Sequence, residues 1–136
     1  DDALRAVRCA LDMQAAVHGI NARNRAQQLP EIAIGIGLNT GVVVAGNIGS
    51  ERRSKYGVVG HTVNLTARIE SYTAAGEILA SQRTIDEAGA TVLTGRSFSA
   101  RPKGMAGEVT IKAITGLQDQ APRARAPGSA IETGTP

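Results

Sequence analysis

Asn64 and Arg68 stand four residues apart in Thr62-Val63-Asn64-Leu65-Thr66-Ala67-Arg68-Ile69-Glu70, just after the short apolar run Tyr56-Gly57-Val58-Val59. If the segment from Thr62 is helical, both side chains leave one face. The Asn64 amide can bond a ribose or phosphate oxygen, and the Arg68 guanidinium presents a planar fork of donors that matches phosphate oxygens. The pair therefore reads as half of a site for phosphate chemistry. Taken singly neither residue is specific, since Asn64 would serve as a polar first-turn residue and Arg68 as a solvated helix charge.

The flanking sequence supplies elements able to hold such a pair. Asp1 or Asp2 can cap a helix reaching about Gln27, with Leu4, Val7, Leu11 and Ala15 on one stripe, widened by Ala3, Ala10, Met13, Val17 and Ile20. So broad a stripe predicts a helix pressed against a sheet. Pro30 closes that region, and Glu31 to Leu38 alternates large and small residues as a strand does, leaving a bare face of Ala33, Gly35 and Gly37 that admits something close. Asn39-Thr40-Gly41 offers turn chemistry before Val42 to Gly46, so the two runs are expected to pair as a hairpin. Gly46 to Lys55 reads as a polar loop whose Arg52, Arg53 and Lys55 form either a solvated surface or an approach for a polyphosphate. A helix from Thr62 to about Ala74 ends near Gly76, Glu77 to Ala80 is a short strand, and Ser81 caps a helix through Ala88 that Gly89 terminates. Arg96 to Ala100 and Glu108 to Ile114 alternate as a closing hairpin around Pro102-Lys103-Gly104-Met105-Ala106-Gly107. From Gln118 onward three prolines, two glycines and a single large apolar residue, Ile131, predict a flexible tail over 118–136.

Length and composition bound the function. A chain of 136 residues is one ordinary domain with room for a core. Tyr56, Tyr72 and Phe98 are its only aromatics, so Ile, Val, Leu and Ala must do the packing. The net charge of +3 is spread along the chain and stacking platforms are nearly absent, which speaks against a nucleic-acid partner. The lone Cys9 has no internal disulfide partner and is expected as a small core residue in a reducing compartment. His18 reads as a partly buried structural histidine and His61 as a capping or turn residue, neither with a metal-ligand companion at zinc spacing. No apolar run approaches the ~20 residues that span a bilayer. The segment is thus expected to be soluble and cytoplasmic with no membrane contact of its own, within a parent protein that can still carry an anchor.

Three motifs in register carry a resemblance. Tyr56 to Glu70, the upstream Ile34-Gly35-Ile36-Gly37-Leu38-Asn39-Thr40-Gly41-Val42-Val43-Val44-Ala45-Gly46 and the downstream Pro102-Lys103-Gly104 are similar to the C-terminal half of a class III adenylate/guanylate cyclase catalytic domain, over residues 1–117. The resemblance implies an α/β (α+β), ferredoxin-like cyclase fold, here partial, with an antiparallel or mixed sheet and flanking helices. It implies conversion of a nucleoside triphosphate, most readily ATP, to the 3′,5′-cyclic nucleotide and pyrophosphate at the interface of a homodimer or with a partner cyclase domain. Asn64 would orient the ribose near the reacting 3′ oxygen, Arg68 would stabilise charge on the α phosphate, and Lys103 would bind the terminal phosphates. Arg101 would assist or be only surface.

Gly57 departs from the family pattern, which often has aspartate or threonine there to bond the purine edge; a backbone group, Val58 or a neighbouring strand would have to substitute. The family's metal-binding aspartates lie on an N-terminal strand and hairpin that this sequence lacks, so no residue is assigned as a metal ligand, and Mg2+ or Mn2+ would be held by that other half. In-line attack by a 3′ hydroxyl generally needs two metals, so this polypeptide alone is not expected to cyclise ATP. Two alternatives remain at this point: a catalytically inactive cyclase-homology domain serving dimerisation or nucleotide sensing, and an unrelated small α/β binding domain that imitates the motif.

Overall fold

The computed structural model describes residues 1–53 and 55–118. Its elements run α1 (Asp2–Ala26), β1 (Ile36–Leu38), β2 (Val44–Ile48), β3 (Lys55–Val59), α2 (His61–Ser71), β4 (Ile78–Ser81), α3 (Gln82–Ala88), β5 (Val92–Ala100) and β6 (Val109–Leu117). Four strands form one sheet in the order β1-β4-β6-β5, with β1 parallel to β4 and the other pairs antiparallel. The mixed sheet with flanking helices expected from the sequence is therefore present.

Side-chain alternation along β4 explains the layering. Ile78 and Ala80 point into a core with Val7 and Ala10 of α1 and Ile85 of α3. Leu79, between them, joins Leu65 and Ile69 of α2 and Ile111 and Ala113 of β6. Helices thus cover both faces of the sheet, and β4 is buried along its whole length. The close neighbour admitted by the bare face of Gly35 and Gly37 is α2 and the residues just after it: a Cβ on Gly37 would lie 2.7 Å from the backbone nitrogen of Glu70, and one on Gly35 would overlap the Thr73 hydroxyl. Ser81 caps α3 as expected, its Oγ accepting from the Thr84 amide at 3.3 Å, and Gly89 ends that helix at φ 105°.

Several expectations need correction. The run Glu31 to Leu38 is strand only over Ile36–Leu38, and it does not pair with Val42 to Gly46. Instead β2 pairs antiparallel with β3, Val44 opposite Val59 and Ile48 opposite Lys55, as a separate two-stranded sheet. Asn39-Thr40-Gly41 is no hairpin turn: Asn39 Nδ2 donates to the Thr62 carbonyl at 3.1 Å, and Gly41 lets the chain pass against the Thr62 side chain. Both ends of the presumed polar loop belong to strands, leaving the basic residues Arg52 and Arg53 at the hairpin tip and Lys55 in β3. Cys9 is exposed rather than a core residue, and His18 is exposed too. The buried seam of α1 is Val7, Ala10 and Gln14, while Met13 and Ala15 face out. Gln14 is tolerated there because its Nε2 donates to the Ile34 carbonyl at 3.0 Å. The expected flexible tail, apart from Gln118, lies outside the described residues. Among the described residues no helix is long and apolar enough to cross a membrane.

Glu77, just before β4, is held by both oxygens. Arg96 donates to each at 2.8 Å, and the Ala74 amide adds a bond of 2.9 Å. The Arg96 hydrogen bond, above all, keeps the Glu77 carboxyl below the usual glutamate range, and burial only partly opposes it. Because the folded value is depressed, the associated stability is complete above the unfolded value of about 4.3 and is lost as pH falls through the lower folded value. Urea midpoints of the wild type and Glu77→Gln should therefore converge as the solution is acidified below pH ~4 and separate above it. A separation that stays constant with pH would contradict this linkage.

Candidate functional site

The geometry starts at Gly60. It precedes α2 at φ 136°, a conformation that side chains rarely adopt, and its carbonyl accepts from the Asn64 amide at 3.1 Å. This sharp entry turns the chain from β3 directly into the helix. Leu65 and Ile69 bury one seam of α2 against the sheet, so Asn64 and Arg68, each one residue earlier, project to the side and remain exposed.

What they project into is a cleft of about 550 Å³ lined by His61, Asn64, Ala67, Arg68, Ser71, Pro102, Lys103, Gly104 and Met105. The structure thus brings Asn64, Arg68 and Lys103 together from two separate elements. Lys103 arrives on the β5–β6 connection, where Pro102 is buried, the Met105 amide bonds the Pro102 carbonyl at 3.1 Å, and Gly104 takes φ 84°. Met105 packs into the core beneath α2, which ties this loop to the helix. Among the described residues the side chains of Asn64, Arg68 and Lys103 have no hydrogen-bonded or ionic protein partner, so their donors are available to a ligand. Arg101 is different: it pairs with Glu108 at 3.5 Å across the base of the loop and lines no part of the cleft.

Gly57 and Val58 are placed elsewhere. Both lie on β3, opposite Gly46 and Ala45, and neither lines the cleft. Val58 borders a second depression of about 970 Å³ beside Asn39, Thr40 and Thr62. Among the described residues a Cβ at Gly57 would meet only the Ile48 side chain at 3.6 Å, an ordinary contact, so none of them demands glycine there. Ser71 and Ala67 escaped the sequence reading although the signal was present, since positions 64, 67, 68 and 71 form one helical stripe. His61, expected as a capping or turn residue, is the first residue of α2, after the capping Gly60, and contributes to the cleft wall.

Two cations and no carboxylate make this cleft complementary to an anion rather than to a metal. Among the described residues no group of three or more His, Cys, Asp or Glu could hold a metal ion. The residues lining this cleft do not fit a divalent ion, and the Mg2+ or Mn2+ that the resemblance implies belongs to the other half of the domain rather than to this chain.

A family model for the adenylate and guanylate cyclase catalytic domain matches residues 1–117. The chain belongs to this family. The unrelated α/β domain raised above is thereby excluded. Among relatives, adenylate cyclase 1 of Rhizobium meliloti (strain 1021) is 30% identical over 114 residues, which is 82% of this chain and 17% of that protein. The crystal structure of the guanylyl cyclase Cya2 is 47% identical with a TM-score of 0.81, covering 91% of this cyclase chain and 62% of the other. The adenylyl cyclase CyaB from P. aeruginosa is 29% identical with a TM-score of 0.79, covering 88% and 62%. The cyclase chain accordingly spans less than two thirds of each of these proteins. Members of the family generally use divalent metal ions.

Proposed function

We propose that this cyclase chain supplies the phosphate-handling half of a composite active site that converts ATP to 3′,5′-cyclic AMP and pyrophosphate. In that reaction the 3′ oxygen bonds to the α phosphorus as the pyrophosphate oxygen leaves. Asn64 holds the ribose, Arg68 faces charge developing on the α phosphate, and Lys103 takes the terminal phosphates. One observation carries the reading: three unpaired donor side chains, set four residues apart on α2 and on a distant loop, line a single cleft.

Mg2+ or Mn2+ would be held by a second cyclase domain, in a homodimer or with a partner domain. Exposed apolar side chains support such a contact, for Val42, Val44 and Tyr56 on and beside the β2–β3 hairpin are 86%, 67% and 77% exposed. The substrate class fits a cytoplasmic setting, with residues 1–117 as the cyclase part and 118–136 as a tail.

GTP is the second reading, favoured by the 47% identity to a structure described as a guanylyl cyclase. The absent side chain at Gly57 leaves purine selection to other groups. Incubating the intact parent protein with Mn2+ and either ATP or GTP, then measuring cyclic nucleotide, tests both. Cyclic GMP alone would replace the first reading by the second. Nucleotide binding without either product would sink the enzymatic reading in favour of a sensing or dimerisation module.

Lys103→Ala should raise the KM for the triphosphate by about tenfold, the loss of one charge-assisted contact, and leave kcat nearly unchanged. A fall in kcat at unchanged KM would instead put Lys103 at the reacting phosphate.

A further inference from the structure

We infer that Arg96, which lines neither depression, is a positioning residue for this site: it clamps the last turn of α2 and so fixes Arg68 relative to Lys103. The inference rests on reading Asn64, Arg68 and Lys103 as one triphosphate site.

Helix α2 has 11 residues and buries only Leu65 and Ile69. A helix this short is marginal without external anchors, and its final carbonyls lack helical partners. Two of those carbonyls, and that of the capping residue Tyr72 just beyond them, are satisfied by side chains. Ser71 Oγ donates to the Arg68 carbonyl at 2.6 Å and Thr73 Oγ1 to the Glu70 carbonyl at 2.7 Å, both from the helix end itself. Arg96 Nη2 donates to the Tyr72 carbonyl at 3.2 Å from across the sheet.

The rest of the Arg96 side chain is fixed just as firmly. Its fork meets both Glu77 oxygens at 2.8 Å, and its guanidinium lies 4.7 Å from the centre of the Phe98 ring. Phe98 in turn meets Tyr72 edge-on, at 6.0 Å and 83°. Arg96 also sits in an irregularity of β5, where Thr94 and Ser97 oppose Ile114 and Lys112, so three steps on β5 match two on β6. Such a bulge re-aims the side chain it carries. Further along, β5 runs into the loop that bears Lys103. One guanidinium therefore couples the element holding Arg68 to the element leading to Lys103.

The Arg96–Glu77 pair is bidentate, with the arginine side chain 49% and the glutamate side chain 18% exposed, so its loss also costs some stability, as the depressed Glu77 value requires. A clamp and a merely structural contact still predict different results, because only a clamp acts through Arg68. In the intact, metal-loaded parent protein, assayed well below its thermal midpoint, Arg96→Ala should lower kcat by about tenfold and at most ~10²-fold, with the KM for the triphosphate changing far less. Arg96→Lys, which keeps the charge but cannot fork, should fall between that variant and the wild type. In an Arg68→Ala background the Arg96→Ala loss should disappear, because it acts through Arg68.

Unchanged kcat in Arg96→Ala, or an undiminished loss in the Arg68→Ala background, overturns the inference. If Arg96→Ala does not fold, Arg96→Lys carries the same comparison. Failure of the underlying site reading is distinguishable, since Arg68→Ala alone would then leave turnover intact.

Discussion

Arg68→Ala is expected to reduce turnover by roughly 10²- to 10³-fold in the intact cyclase, the scale seen when one preorganised donor is removed from developing transition-state charge. The KM for the triphosphate should change far less. Arg68 is exposed, has no ionic or hydrogen-bonded side-chain partner among the described residues and lies at the last turn of α2, where the helix dipole already favours a cation. Its removal therefore leaves no buried partner unsatisfied, and the fold should be unaffected. Stability and activity are separable at this position, which makes the variant a clean probe of chemistry. Arg68→Lys keeps the charge but loses the planar fork, so it should recover only part of the rate. Steady-state rates with saturating nucleotide and Mn2+ give the answer, and a turnover within threefold of wild type would remove Arg68 from the reaction.

The contrast between α2 and β1 explains what a sequence can reveal. Asn64 and Arg68 lie within one helix, where a period of 3.6 puts the pair on one face from spacing alone. The closing hairpin was legible for the same local reason, although it proved longer at both ends. Pairing of β1 was not legible. Its partner β4 lies some 40 residues away, in register Ile36 opposite Ile78, and no local pattern distinguishes that parallel partner from the nearer run Val42 to Gly46. Turn-forming residues at Asn39 to Gly41 pointed the wrong way because they serve close contact with Thr62 instead of reversing the chain. Cys9 was misplaced because, although it lies between the buried Val7 and Ala10 along α1, it is turned to the opposite, solvent side of the helix, whereas His18 lies beyond Gln14, where the buried seam ends. Arg96 left no signal at all, since its task depends on a bulge and on the end of a helix distant in sequence.

Gly37→Ala should be strongly disruptive, and the reason is backbone rather than side chain. The added Cβ would stand 2.7 Å from the Glu70 nitrogen and 2.9 Å from its Cα, so relief requires moving α2 itself. Forcing a methyl into such a contact costs about 1–3 kcal/mol. Glu70 is two residues from Arg68, so the same displacement carries the guanidinium with it, and a shift of ~1 Å at a reacting group can cost about 10²-fold in rate. Gly19→Ala is the matched control: nothing lies within 4 Å of its Cβ, it sits inside α1, and the exchange should stabilise by about 0.5–1 kcal/mol. Denaturant midpoints should thus move in opposite directions for two chemically identical changes, and only Gly37→Ala should lose turnover. Equal midpoints would mean that α2 can slide on the sheet without loss, and a helix free to slide could not hold Arg68 against a phosphate.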